Sequence, residues 1–144
     1  MSKGNGDRAV RQLRLVVHAE DYDAALQFFR DVLGMPEEES YAGDGGARVA
    51  ILDAGRATVE LSNPAQIDMI DEVEVGRRGV APRLRVAFEV PDAAAATAAA
   101  ERGGAALVAP PTRTPWHSLN SRLEAPAGLQ ITLFQELGED PGPG

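Results

Sequence analysis

Leu84-Arg85-Val86-Ala87, running on to Asp92 and Ala95-Ala96, repeats Leu13-Arg14-Leu15-Val16 with its Asp21 and Ala24-Ala25. Arg14 recurs as Arg85, Asp21 as Asp92 and Ala24 as Ala95, all at one offset. Each copy reads as strand, aspartate, alanine-rich helix, glycine and further strand. The glycines are Gly34 in the first copy and Gly103-Gly104 in the second. Self-similarity at a fixed spacing is the mark of a repeated unit. A unit used twice implies a pseudo-symmetric domain, with equivalent residues of the two copies near one axis. Both leading strands carry an arginine, so the functional question becomes what two arginines do inside a pocket.

At 144 residues the chain is one ordinary domain or two small modules sharing a core. Its net charge of −8 argues against nucleic acid and anionic membrane as partners. With no cysteine, the chain has no disulfide, no thiolate nucleophile and no Cys-ligated zinc. The N-terminal MSKGNGDRAVRQ lacks the apolar core of a secretory signal. No apolar run approaches the roughly 20 residues that span a bilayer. The expectation is a cytoplasmic protein. Thirteen arginines against one lysine, with abundant alanine and glycine, suggest a GC-rich genome. Arginine at any single position is therefore weak evidence of selection for its chemistry.

Residues 1–10 and 137–144 read as polar, Gly- or Pro-rich tails. Residues 11–63 form the first module, 64–82 a connector and 83–136 the second module. The alternation of Leu15, Val17 and Ala19 against Arg14, Val16 and His18 predicts a strand over Leu13–Ala19. Asp21 caps the helix that follows, Ala24, Ala25, Phe28, Phe29 and Val32 form its apolar stripe, and Gly34 ends it. Strands are expected at Arg48–Asp53 and Ala57–Ser62, with a faint one near Glu39–Tyr41. The connector carries a short helix over Ala65–Val73 and a bend at Gly76–Gly79. In the second module a strand over Arg83–Val90 leads to a helix over Ala93–Arg102. Strands near Ala106–Val108, Ser118–Leu123 and Leu129–Phe134 complete it, the last two joined by the turn Ala125–Gly128.

With this order in view, DYDAALQFFRDVLGMP (21–36) resembles the helix of the vicinal oxygen chelate superfamily, the glyoxalase, bleomycin resistance protein and extradiol dioxygenase fold. RVAILDAGRATVELSNP (48–64) and RVAFEVPDAAAATAAAERGGAAL (85–107) are similar to its later strands and second helix, and APAGLQITLF (125–134) to its closing turn and strand. The resemblance covers Leu13 to Glu136. It implies an α+β fold of two pseudo-symmetric βαβββ modules curling around a cavity, commonly in a homodimer. In metal-dependent members four strands each supply a ligand, usually two His and two Glu. The resemblance carries the histidine positions onto Arg14 and Arg85, the first carboxylate onto Glu60 and the last ligand onto Thr132. A guanidinium has no lone pair and stays protonated, so the expectation is no metal and no cofactor.

Arg14, Glu60 and Arg85 are therefore expected to converge on the cavity. One reading is an anion site, since two guanidinium forks against one carboxylate leave a local excess of positive charge. The other is a self-satisfied Arg-Glu-Arg plug, with Glu89 available to pair Arg85. Glu60 is also the best candidate for acid–base chemistry, should the chain be a lyase, isomerase or dioxygenase-type enzyme. His18 falls on the face of Arg14, toward the cavity mouth, and with Glu60 and His117 makes a conceivable displaced metal triad. Thr114–Arg122 holds the only tryptophan and dense hydrogen-bonding capacity in Asn120 and Arg122. In binding members of the superfamily an aromatic from this part often lines the pocket, which makes Trp116 a candidate stacking wall. The alternative is that Trp116 covers the core or an interface. The candidate ligand-binding set is Arg14, His18, Glu60, Arg85, Trp116, Asn120, Arg122 and Thr132, for a small, partly apolar and anionic molecule.

Overall fold

In the computed structural model, residues 14, 15, 17, 19–57 and 62–138 are described. Asp21 caps helix α1 (Tyr22–Leu26), its side chain accepting from the Ala24 amide at 3.1 Å. The helix widens into a π-helical stretch over Gln27–Val32, with Leu33 N–H donating to the Phe28 carbonyl. Phe28 is fully buried, and Phe29 meets it edge to face at 5.2 Å. Gly34, at φ +75°, ends the helix in the left-handed conformation that favours glycine. Strands β1 (Glu37–Ala42) and β2 (Arg48–Leu52) then pair as an antiparallel hairpin. All of β1 is exposed, as its acidic Glu37-Glu38-Glu39 start requires.

Helix α2 (Pro64–Glu74) occupies the connector, with Asn63 accepting from the Gln66 amide and Pro64 in the first turn. The second module follows as β3 (Val86–Glu89), α3 (Ala93–Arg102), β4 (Ala106–Arg113), β5 (Ser118–Ala125) and β6 (Leu129–Glu136). Its sheet runs β3-β6-β5-β4, with β3 parallel to β6 and the other pairs antiparallel. This is a complete βαβββ unit in an α+β fold.

Side chains alternate across the sheet, and the two faces do different things. Leu123, Ala125, Ile131 and Leu133 form the core with Ala100 of α3 and Phe28. Thr97 of α3 reaches Ser121 of β5 on this face, oxygen to oxygen at 2.7 Å. At the end of α3, a Cβ built on Gly103 would lie 2.5 Å from Val32 Cγ2, so glycine sets how closely the two helical segments approach. The opposite face carries Arg85, Asn120, Arg122, Gln130 and Thr132, and against it lies α2.

Some expectations need correction. Residues 14, 15, 17 and 19 are not in a strand, and Leu15 and Val17 remain exposed. Leu13, Val16 and His18 of that expected strand lie outside the described residues. Arg83 and Leu84 stay outside β3, and Leu84 is 74% exposed. The faint strand near Glu39–Tyr41 is real and longer, and β4 continues well past Val108 across two register shifts. Most of the expected strand Ala57–Ser62 lies outside the described residues, and its described ends, Ala57 and Ser62, are not in a strand. Among the described residues no helix is long and apolar enough to cross a membrane.

Candidate functional site: a guanidinium held by two carboxylates

Arg122 projects from the middle of β5 into the α2 side of the sheet and is fully buried. Its Nη1 meets Asp71 Oδ1 at 2.6 Å and its Nη2 meets Glu74 Oε1 at 2.8 Å, with both acids almost fully buried. Asn120, two residues earlier on the same strand face, donates to Glu74 Oε2 at 2.7 Å. Gln130 of β6 accepts from Arg122 Nη1 at 3.3 Å and donates to Glu124 at 2.8 Å. Asp71 Oδ2 accepts from the backbone amides of Val80 and Ala81 at 2.9 and 3.0 Å. Burial pushes the Asp71 carboxyl up. The Arg122 hydrogen bond, the Ala81 and Val80 amides and the guanidinium charge together outweigh it and hold the group below the usual carboxylate range.

The sequence places these acids on one side of α2. Ile67, Ile70, Asp71 and Glu74 follow the i, i+3, i+4, i+7 spacing of a helix stripe that faces a core. Two of the four positions are carboxylates. Acids in a stripe that should be apolar are the signal that finds Asp71 and Glu74, and reading the connector as a linker passes over it.

The expected site residues are distributed differently. Arg85 is half-buried and donates from Nη1 to the Thr132 hydroxyl. Two positions assigned to metal ligands by resemblance are thus bonded to each other, one of them a cation without a lone pair. That pair does not suit a divalent metal. Arg14 is exposed, on the β1 side of the molecule. There the Tyr41 hydroxyl is raised, first by its hydrogen bond to Glu39 and by that carboxylate's charge, while Arg14 acts in the opposite direction. Glu89 is exposed. Glu60 and His18 lie outside the described residues, so the expected Arg14–Glu60–Arg85 convergence does too. Trp116 stands at the tip of the β4–β5 hairpin, 41% exposed, beside His117 at φ +62°. Asn120, Arg122 and Thr132 all face the α2 side of the sheet. Among the described residues no group of three His, Cys, Asp or Glu side chains is placed to hold a metal.

A concavity of about 410 Å³ lies elsewhere, between α1 and the hairpin, lined by Tyr22, Leu26, Arg30, Glu37, Tyr41 and Arg48 among others. The Arg48 guanidinium sits 4.4 Å over the Tyr22 ring and pairs with Asp23 at 2.8 Å. These groups are largely exposed, and such pairs contribute little to binding or stability.

The profile of the Glyoxalase/Bleomycin resistance protein/Dioxygenase superfamily matches residues 11–133, and the chain belongs to that superfamily. Similar folds occur in a hypothetical protein from S. aureus (13% identity, TM-score 0.58, covering 90% of this chain and 97% of that one). TioX from Micromonospora sp. ML1 is also similar (20% identity, TM-score 0.54, covering 90% and 100%). So is a glyoxalase family protein from Bacillus cereus (19% identity, TM-score 0.51, covering 90% and 100%). No curated protein matches the chain.

Proposed function

We propose that this chain is a small-molecule-binding protein of the glyoxalase/bleomycin-resistance kind that works without a divalent metal. The observation that carries the reading is the Arg85–Thr132 pair. Where metal-dependent relatives are expected to present lone pairs, this chain presents a guanidinium bonded to a hydroxyl. A second guanidinium, Arg122, lies on the same sheet face, with Asn120 and Gln130 beside it. Arg122 is held there by Asp71 and Glu74, so Arg85 is the fork that supports a partly apolar ligand with anionic oxygens, because planar forks match carboxylate geometry. The chain acts as a cytoplasmic homodimer in this reading, with neither nucleic acid nor membrane as partner.

Two measurements test it together. Elemental analysis after chelator-free purification is expected to give far less than one equivalent of zinc, nickel, iron or manganese. A thermal-shift screen of aromatic compounds and small organic acids is expected to give stabilising hits. A stoichiometric metal overturns the reading. A second reading, a structural dimer whose binding face is closed, is favoured by the burial of Arg122 under α2. A screen without a single hit selects that one.

A further inference from the structure

We propose that Arg122 and Asn120 form a binding site for a small organic diacid, and that helix α2 is its built-in stopper, occupying the site with Asp71 and Glu74. The proposal rests on the small-molecule-binding reading above and adds a ligand class and a means of control.

Four observations lead here. First, the polar side chains of the site are already arranged as a carboxylate receptor. Arg122 offers Nη1 and Nη2 to two different carboxylates, and Asn120 adds a donor to one of them. What fills the receptor is chemically a diacid, supplied by the chain itself.

Second, the fit is incomplete. Asn120 Oδ1 and Arg122 Nε are buried without a hydrogen-bond partner among the described residues. Their residues are 6% and 0% exposed. A buried donor and acceptor left unmade are costly. A free diacid is not tied to helix geometry and can approach Nε as well as both Nη atoms. A hydroxyl or amine on it would reach Asn120 Oδ1.

Third, charge makes the two occupants exclusive. One guanidinium against two carboxylates leaves the buried cluster at −1, so a further anion cannot join it and has to replace one.

Fourth, α2 can leave without being stranded. Its buried residues are Ile70, Asp71 and Glu74, so little apolar area holds it down. Asp71 keeps its Val80 and Ala81 amide bonds, which lie in its own connector. Those bonds hold the Gly76–Gly79 turn, with φ +86° and +78° at its two glycines, against the end of the helix, so helix and turn move as one piece.

Succinate is the probe, with butylamine as a control at matched ionic strength. Its affinity is measured by calorimetry for the unaltered protein, Glu74→Gln and Ile70→Ala. Glu74→Gln removes one charge of the stopper. Ile70→Ala loosens α2 while leaving every polar group of the site in place, and serves where Glu74→Gln fails to fold. Both variants are expected to bind succinate about tenfold or more tightly than the parent, as competition between two states requires. Amides of α2 should exchange faster with solvent when succinate is bound. Equal affinity in all three proteins, or none in any, with α2 equally protected throughout, overturns the stopper. That outcome leaves the metal analysis and the binding of uncharged aromatic compounds untouched, so the broader reading stands or falls on its own.

Discussion

Arg122 and Arg85 share a sheet face, yet truncating them should have unequal consequences. Arg122→Ala leaves two carboxylates buried without their cation and should destabilise by roughly 3–5 kcal/mol in urea unfolding. Arg85→Ala loses a half-buried hydrogen bond to Thr132, worth about 1–2 kcal/mol. Asp71 gives the acid limit. Its folded carboxyl lies below its unfolded value, so its contribution is complete above about pH 4 and fades as pH falls through the lower folded value. Urea midpoints measured down through the carboxylate range should fall, and the fall should be shallower in Asp71→Asn. Trp116, on its exposed hairpin tip, should be quenched freely by acrylamide in the unliganded protein. Protection on ligand binding would bring it to the site. Arg122 itself was legible as a polar candidate from the density of hydrogen-bonding groups around Trp116. Asp71 and Glu74 were legible only as acids out of place in a helix stripe; their pairing with Arg122 was not, because it depends on α2 lying across the sheet, and nothing local to either segment specifies that contact.

At the scale of elements, legibility followed capping. Asp21, Asn63 and Asp92 each accept from an amide three residues on, and the three helices begin there. The Ala93–Arg102 helix matches the sequence reading at both ends, since Asp92 and Gly103 punctuate an alanine run with no competing tendency. Strands fared worse at the N-terminal end. Leu13–Ala19 has the right alternation, but its described residues are in no strand. Glu37–Ala42 has little apolar pattern, and hairpin pairing with β2 makes the strand. Gly103 gives the sharpest test of packing between elements. Its φ is −84°, so alanine meets no backbone strain there, only the Val32 methyls. Gly103→Ala should cost about 1–3 kcal/mol by overpacking. Part of that should return in the Gly103→Ala, Val32→Ala double variant, a non-additivity that a double-mutant cycle reads directly.

Among the described residues there is one complete βαβββ unit, and the helix and hairpin of the other copy lie before it. The repeat in the sequence is thus clearer than any repeat among the described residues. Leu15, Val17, Tyr41, Val49, Leu84, Leu107 and Trp116 remain exposed in the single chain. Light scattering on the purified chain is expected to give the mass of a dimer, and a monomer at micromolar concentration would contradict that. The makeup of α2 also bears on the order in which the chain folds. A helix with an oily stripe can collapse onto any apolar surface early. One whose stripe is half carboxylate has nowhere favourable to go until β5 and β6 have brought Arg122, Asn120 and Gln130 together. Docking of α2 therefore belongs after the rate-limiting barrier, and Glu74→Gln should quicken unfolding while leaving the refolding rate nearly unchanged.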